Sequence, residues 1–204
     1  MRTTTTPLRQ LPHQPASDGR VRRSQRSGHA IIEAMMALVG EGVIEPTAHQ
    51  VAARANVGIR TVFRRFSDME SLFAEMDARL QAEVLPMLLG GRPEGRTEGR
   101  ARALVRQRVA LFERIAPFKR SGNLKRQRSP FLQERHALMV RGLRADLRRW
   151  LPELRRSPAD LVDALDLVLS FEAWDRLRVE QRLSRARAQA AVERMVVALV
   201  ARLP

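Results

Sequence analysis

The 204-residue sequence has no cysteine, which excludes disulfides, thiol catalysis and thiolate metal sites. It has no tyrosine either. No run of 18 apolar residues occurs, so a membrane-spanning helix is excluded. The N-terminal stretch has no apolar core of the kind a secretory signal needs, so none is expected. The four histidines lie far apart, with no His-x-x-x-His pair and no carboxylate cluster, so no metal site and no cofactor are expected. Without a nucleophile–base pair or a glycine-rich phosphate loop, the sequence offers no catalytic residues and does not read as an enzyme. Lysine is nearly missing: Lys119 and Lys125 are the only two, so arginine supplies almost all the positive charge.

That positive charge is large. There are 37 Lys+Arg against 22 Asp+Glu, giving +15 and a pI near 11.7. A 44% hydrophobic fraction is enough for a folded core rather than a disordered polycation. Together these point to a soluble cytoplasmic protein with an anionic partner. The charge comes in blocks: +6 over residues 1–65, −4 over 66–90 and +9 over 92–128. Residues 1–21, with four consecutive threonines and three prolines, read as a flexible arm. Gly90, Gly91, Pro93 and Gly95 mark a loop.

Nearly everything else is patterned as helix. Ala30, Ile31, Ala34, Met35, Leu38 and Val39 recur at three- and four-residue spacing, and Gly42 should end that helix in the left-handed region. Thr47 and Gln50 form a capping box, and Ser67 with Glu70 suggests a second. Ser129-Pro130 and Ser157-Pro158 each look like a cap followed by proline at the first helical position, and Ser184 is a plausible cap for the last helix. Prolines are expected at helix ends and in loops. The fold class is all-α.

Residues 46–66 read PTAHQVAARANVGIRTVFRRF. The segment splits into a short helix (48–55), a turn at Asn56-Val57-Gly58 and a second short helix (59–66). Val51, Ala52, Ala55, Val57, Val62 and Phe66 are spaced to face inward, and Asn56 tolerates the positive φ that a sharp bend asks for. The outward face then carries Arg60, Thr61, Arg64 and Arg65. This is a helix-turn-helix, whose second helix enters the DNA major groove by its N-terminal end. Arginine there can bind guanine O6 and N7 in bidentate fashion or pair with phosphate.

These residues resemble the tetracycline-repressor (TetR) family of bacterial regulators. The resemblance lies in Glu41-Gly42, Thr47 through Val51-Ala52, Ala55-Asn56-Val57-Gly58, Thr61-Val62-Phe63-Arg64-Arg65-Phe66 and Ser67-Asp68-Met69-Glu70-Ser71-Leu72. It covers roughly residues 27 to 76. Phe63 departs from the family's tyrosine, whose hydroxyl reaches phosphate, and Met69 from its lysine. Arg65 stands where a histidine is frequent on the DNA side. The candidate DNA-binding residues are therefore Arg22, Arg23, Arg26, Thr47, His49, Ile59, Arg60, Thr61, Phe63, Arg64 and Arg65. The arginines before the first helix would touch phosphate or minor groove.

The resemblance also implies an organisation: an arm at 1–21, a three-helix DNA-binding module at 22–75, and a larger helical ligand-binding and dimerisation part at 76–204. It implies a homodimer through the last two helices, Asp160–Arg178 and the one after Ser184. Such a dimer would read a near-palindromic operator and be released, as a repressor, by a small-molecule effector. Candidate pocket walls are Phe112, Phe118, Phe131, His136, Met139, Phe171 and Trp174, each also readable as ordinary core. The basic run from Lys119 to Arg128 is readable as a nucleic-acid patch, a solvated loop or a lure for an anionic ligand. The competing reading of the whole is a non-specific architectural DNA-binding protein that uses charge alone.

Overall fold

In the computed structural model, residues 17–204 are described, with side chains inside the first helix described from residue 24 onward. Residues 1–16 of the expected arm lie outside the described residues. The helix α1 (Ser17–Gly40) begins before the expected boundary at 22. It is followed by α2 (Ala48–Arg54), α3 (Ile59–Arg65), α4 (Met69–Leu89), α5 (Thr97–Arg126), α6 (Pro130–Trp150), α7 (Ala159–Val168), α8 (Phe171–Asp175) and α9 (Arg185–Val200). Among the described residues there is no strand, as the all-α expectation requires.

The signals at helix ends act largely as the sequence implies. The Gly42 amide donates to Val39 and the Val43 amide to Leu38, both at 3.0 Å, with Gly42 at φ +95°. This is a Schellman closure, and it needs a residue free of the Cβ penalty. The Thr47 hydroxyl accepts from the Gln50 amide at 3.2 Å while Gln50 Oε1 accepts from the Thr47 amide at 2.8 Å. Ser129 and Ser184 cap α6 and α9.

Four expectations fail for identifiable reasons. The second capping box is shifted by one residue. Asp68, not Ser67, accepts from the Ser71 amide at 2.7 Å, because a carboxylate satisfies a helix N-terminus better than a hydroxyl. Ser157 caps nothing; its hydroxyl donates to the Glu153 carbonyl at 3.1 Å and closes a 3₁₀ segment, Pro152–Arg156. The expected helix from Asp160 to Arg178 is broken at Leu169, because the Ser170 hydroxyl accepts the Ala173 amide at 3.1 Å and starts α8. The chain then passes into a π-helical turn, Arg176–Glu180, with the Gln181 amide reaching back to the Arg176 carbonyl. Finally, Pro86 and Pro117 sit inside α4 and α5. Tertiary packing keeps both helices continuous, although Pro117 has no N–H for the Glu113 carbonyl.

Two apolar clusters result. The first joins α1 to α4, with Ile31, Met35, Val39, Val51, Val62 and Leu72 buried, and borrows Phe118 from α5. The second fills the remainder around α5, with Leu104, Val105, Phe112, Leu147, Phe171 and Val196. Fully buried side chains of this size contribute roughly 1.5–3 kcal/mol each. Helix α5, about 45 Å long at 1.5 Å per residue, is the common wall, packed against α1, α4, α6, α8 and α9.

Candidate nucleic-acid interface and a neighbouring cavity

The helix-turn-helix is built from its apolar side outward. Val51, Ala52, Val62 and Phe66 are buried, while Ala55, Val57 and Ile59 are half-buried. Asn56 takes φ +52° at the bend, where the Val57 amide donates to the Ala52 carbonyl at 3.0 Å. With those positions inward, the helical period turns Arg60, Phe63 and Arg64 outward, and all three are exposed; Thr61 is half-buried. Phe63 is 50% exposed, an aromatic ring among cations rather than in a core. His49 and Thr47 are exposed at the N-terminal end of α2, and Arg26 is exposed on α1. The side chains of Arg22 and Arg23 lie outside the described residues.

Charge pairing separates these arginines. Arg54 forms an ion pair with Glu41, which the sequence did not suggest. Arg60 and Arg64 have no ion-pair partner among the described residues. Arg65 is exposed but not free-standing. Its guanidinium lies across α1 at Gly28, so close that a Cβ there would sit 2.7 Å from Nε. Glycine in mid-helix costs about 1 kcal/mol relative to alanine, and at residue 28 that cost makes room for Arg65.

A cavity of about 400 Å³ opens between α4, α5 and α6. That is within the size range of small-molecule sites. Of the seven expected pocket walls, Phe118, His136 and Met139 line it. The other four do not. Phe112, Phe171 and Trp174 are buried core, with Phe112 and Phe171 stacked edge to face at 5.7 Å. Phe131 is half-buried beside α6's start and does not line the cavity. The α4 wall was missed because its lining residues Leu80, Val84 and Leu88 share one stripe with ordinary core.

The cavity is polar at one end only. Leu88, Leu111, Met139 and Gly142 lie toward one end; Asp77, Lys119, Arg126, Arg135 and His136 lie at the other. Arg135 Nε sits 2.7 Å from Asp77 Oδ2, and Gln81 donates to the same oxygen at 2.6 Å. Lys119 Nζ lies 2.9 Å from His136 Nδ1. Burial pushes the Lys119 ammonium below its usual range, and burial together with the Lys119 and Arg126 charges pushes the His136 imidazole down as well. A neutral His136 accepts at Nδ1 from Lys119 and carries its proton on Nε2. Arg126 Nη1 is buried without a hydrogen-bond partner.

No protein-family profile matches the sequence, and no curated protein matches it. Solved structures do match the fold. A transcriptional regulator from Rhodococcus sp. RHA1 superposes with a TM-score of 0.65 at 20% identity, covering 87% of this chain and 96% of that one. A protein of Mesorhizobium loti described as a TetR-family transcriptional regulator gives 0.59 at 19%, covering 88% and 97%. A TetR transcriptional regulator from Rhodococcus sp. RHA1 gives 0.50 at 21%, covering 90% and 99%. The chain has the fold of these regulators over nearly their full length.

Proposed function

We propose that the protein is a transcriptional regulator that binds an operator in double-stranded DNA through α3. The observation that carries this is the division of α3: Val62 is buried while Arg60 and Arg64 are exposed, with no ion-pair partner among the described residues. An arginine left without a carboxylate on a short protruding helix is free to bind guanine edges or phosphate. Thr47 and His49 at the start of α2, and Arg22, Arg23, Arg26 and Arg65 around α1, contribute backbone contacts. The likeness in fold to known regulators supports the same reading.

The regulator acts as a homodimer, because one short helix discriminates few bases whereas two about 34–36 Å apart read a near-palindrome. Supporting that assembly, Leu167 on α7 is 67% exposed and Met195 on α9 is 40% exposed, large apolar side chains on the last helices that the single chain leaves outside its core. It is a repressor released by a small molecule held in the α4–α6 cavity, which shifts the population toward a dimer with misplaced reading helices. The protein works in the cytoplasm, alongside its DNA. Among the described residues no helix is long and apolar enough to cross a membrane.

The test is selection and sequencing of fragments bound from random duplex DNA at fixed salt. A recovered motif with two symmetric half-sites is the expected result. Binding that falls with salt but shows no sequence preference would replace this reading with the architectural one.

A further inference from the structure

We infer that the α4–α6 cavity takes an aliphatic monocarboxylate, with its head group at Lys119 and Arg126 and its chain running toward Gly142. This deepens the regulator reading, and its role in release rests on that reading. Three observations carry it.

The lining is amphipathic along its length. From Asp77 to Leu88 the α4 wall runs about 16 Å, the span of a medium-length chain. Leu80, Val84, Leu88, Leu111, Ile115 and Met139 line the path without a polar side-chain atom, and Gln81, one turn beyond Asp77, turns its amide N–H to that carboxylate at the head end. An alcohol or amide buried among them would leave its polar group unsatisfied, whereas a chain with one polar end fits.

The charge at the head end does not balance. Among the lining residues Asp77 is the one acid, and it already faces Arg135. Lys119 Nζ touches the His136 ring nitrogen and the Phe171 face but makes no ion pair among the described residues, and Arg126 has a buried nitrogen with no hydrogen-bond partner among them. Glu172 stands near Lys119 and His136 but is exposed and outside the lining. From α5 onward every other buried or half-buried arginine faces a carboxylate, while those without one are exposed to water, so two sheltered cations left open in one apolar cavity call for an anion. A carboxylate offers charge-assisted bonds to both. A cationic ligand would meet repulsion there.

Space is kept open by two glycines. A Cβ on Gly122 or Gly142 would meet nothing closer than a leucine methyl at 4.0 Å, so no contact within the fold requires glycine at either residue. Both face the cavity, at its head end and its chain end respectively.

The head end also abuts the DNA-binding module. The Ser121 hydroxyl donates to the Ile44 carbonyl at 2.6 Å, and Lys125 lies 3.6 Å from Glu45 and 4.6 Å from the Phe73 ring centre. Ser129 donates to Glu70 at the start of α4. An anion drawn to Lys119 and Arg126 therefore pulls on the same stretch of α5 that holds the loop before α2.

Calorimetric titration of the full chain with octanoate and with its neutral isostere octanamide tests the assignment. Octanoate is expected to bind about tenfold more tightly than octanamide. The double variant Lys119→Gln/Arg126→Gln should erase that preference and leave octanamide affinity unchanged. Gly142→Phe should abolish both, with the thermal transition retained as proof of folding. Equal affinity for the two probes, or a preference that survives the double variant, would overturn the proposal. These titrations contain no DNA, so their failure is separate from failure of the regulator reading. Saturating octanoate is then expected to weaken operator binding, and an unchanged operator affinity would remove the effector role.

Discussion

The same residue type does opposite things in the two halves of this molecule. Around α5 and α6, most of the buried and half-buried arginines are internal fasteners. Arg100 pairs with Glu153, Arg114 with Glu83, Arg120 with Asp175, Arg144 with Asp163 and Asp166, and Arg178 with Glu113. On α3, Arg60 and Arg64 have no carboxylate to fasten to among the described residues. An arginine count alone therefore says little about DNA. A reading arginine needs both a place on the outward face of α3 and the lack of a carboxylate supplied by the fold.

The deepest fastener is Arg108 with Asp146, both nearly fully buried. Arg108 Nη2 lies 3.0 Å from Asp146 Oδ2 but donates to the Leu143 carbonyl at 2.7 Å. Arg149 donates to the other oxygen of Asp146 at 2.8 Å. Burial pushes the Arg108 guanidinium down to about 10, against the pull of Asp146, so at neutral pH it stays charged. Removing the carboxylate strands that charge. Asp146→Ala should cost about 3–5 kcal/mol in urea unfolding, the largest effect expected from any single change named here. A loss below 1 kcal/mol would mean the pair is not the fastener its burial implies.

Arg60→Ala sharpens the contrast from the other side. It should cost about 1–3 kcal/mol of operator affinity and relax specificity at one base position, if the guanidinium reads a base. A uniform loss across sequences, with a shallower salt dependence, would mark a phosphate contact. Unfolding should be unchanged in both cases, because Arg60 holds nothing together. A variant that weakened folding as much as binding would make Arg60 a fastener like Arg144.

How much of this was legible in the sequence follows from the range of the forces involved. The helix-turn-helix could be read because its cues are local: a capping box, a bend at Asn56, and apolar spacing that fixes which face of α3 is outward. Three cavity residues were legible because Phe118, His136 and Met139 lie on apolar stripes. Phe112, Phe171 and Trp174 lie on such stripes too, and only packing decides which half of a stripe is core and which half lines a void. The helix break at Ser170 and the prolines within α4 and α5 were hidden for the same reason. Ion pairs were the least legible, since Arg108 and Asp146 are brought together only by the docking of α6 on α5.

Arg65 lies between the two classes, exposed on the reading module yet resting on α1. Gly28→Ala tests which it is. The new Cβ would meet Arg65 Nε, the movable far part of a flexible side chain, so the fold should yield cheaply and gain up to about 1 kcal/mol of helix propensity. Arg65 is then freed from α1. A reading arginine so released should change operator affinity by severalfold, whereas a fastener would show its loss in unfolding.

His136 gives the smallest effect and the one with a pH signature. Burial, with Lys119 and Arg126 beside it, holds its folded pKa below the usual 6.5. The unfolded chain therefore takes up the proton first as pH falls. Its contribution to stability is present above pH 6.5 and is lost progressively as pH drops toward the lower folded pKa. Thermal melts of the native protein should decline over that window, and His136→Gln should flatten the decline while leaving the high-pH melting temperature nearly unchanged. An identical slope in the variant would mean that His136 is solvated in the folded state, with Lys119 turned away from it. The head end of the cavity would then not hold its cations together, and Lys119 would be an ordinary solvated charge rather than an open one sheltered for a ligand.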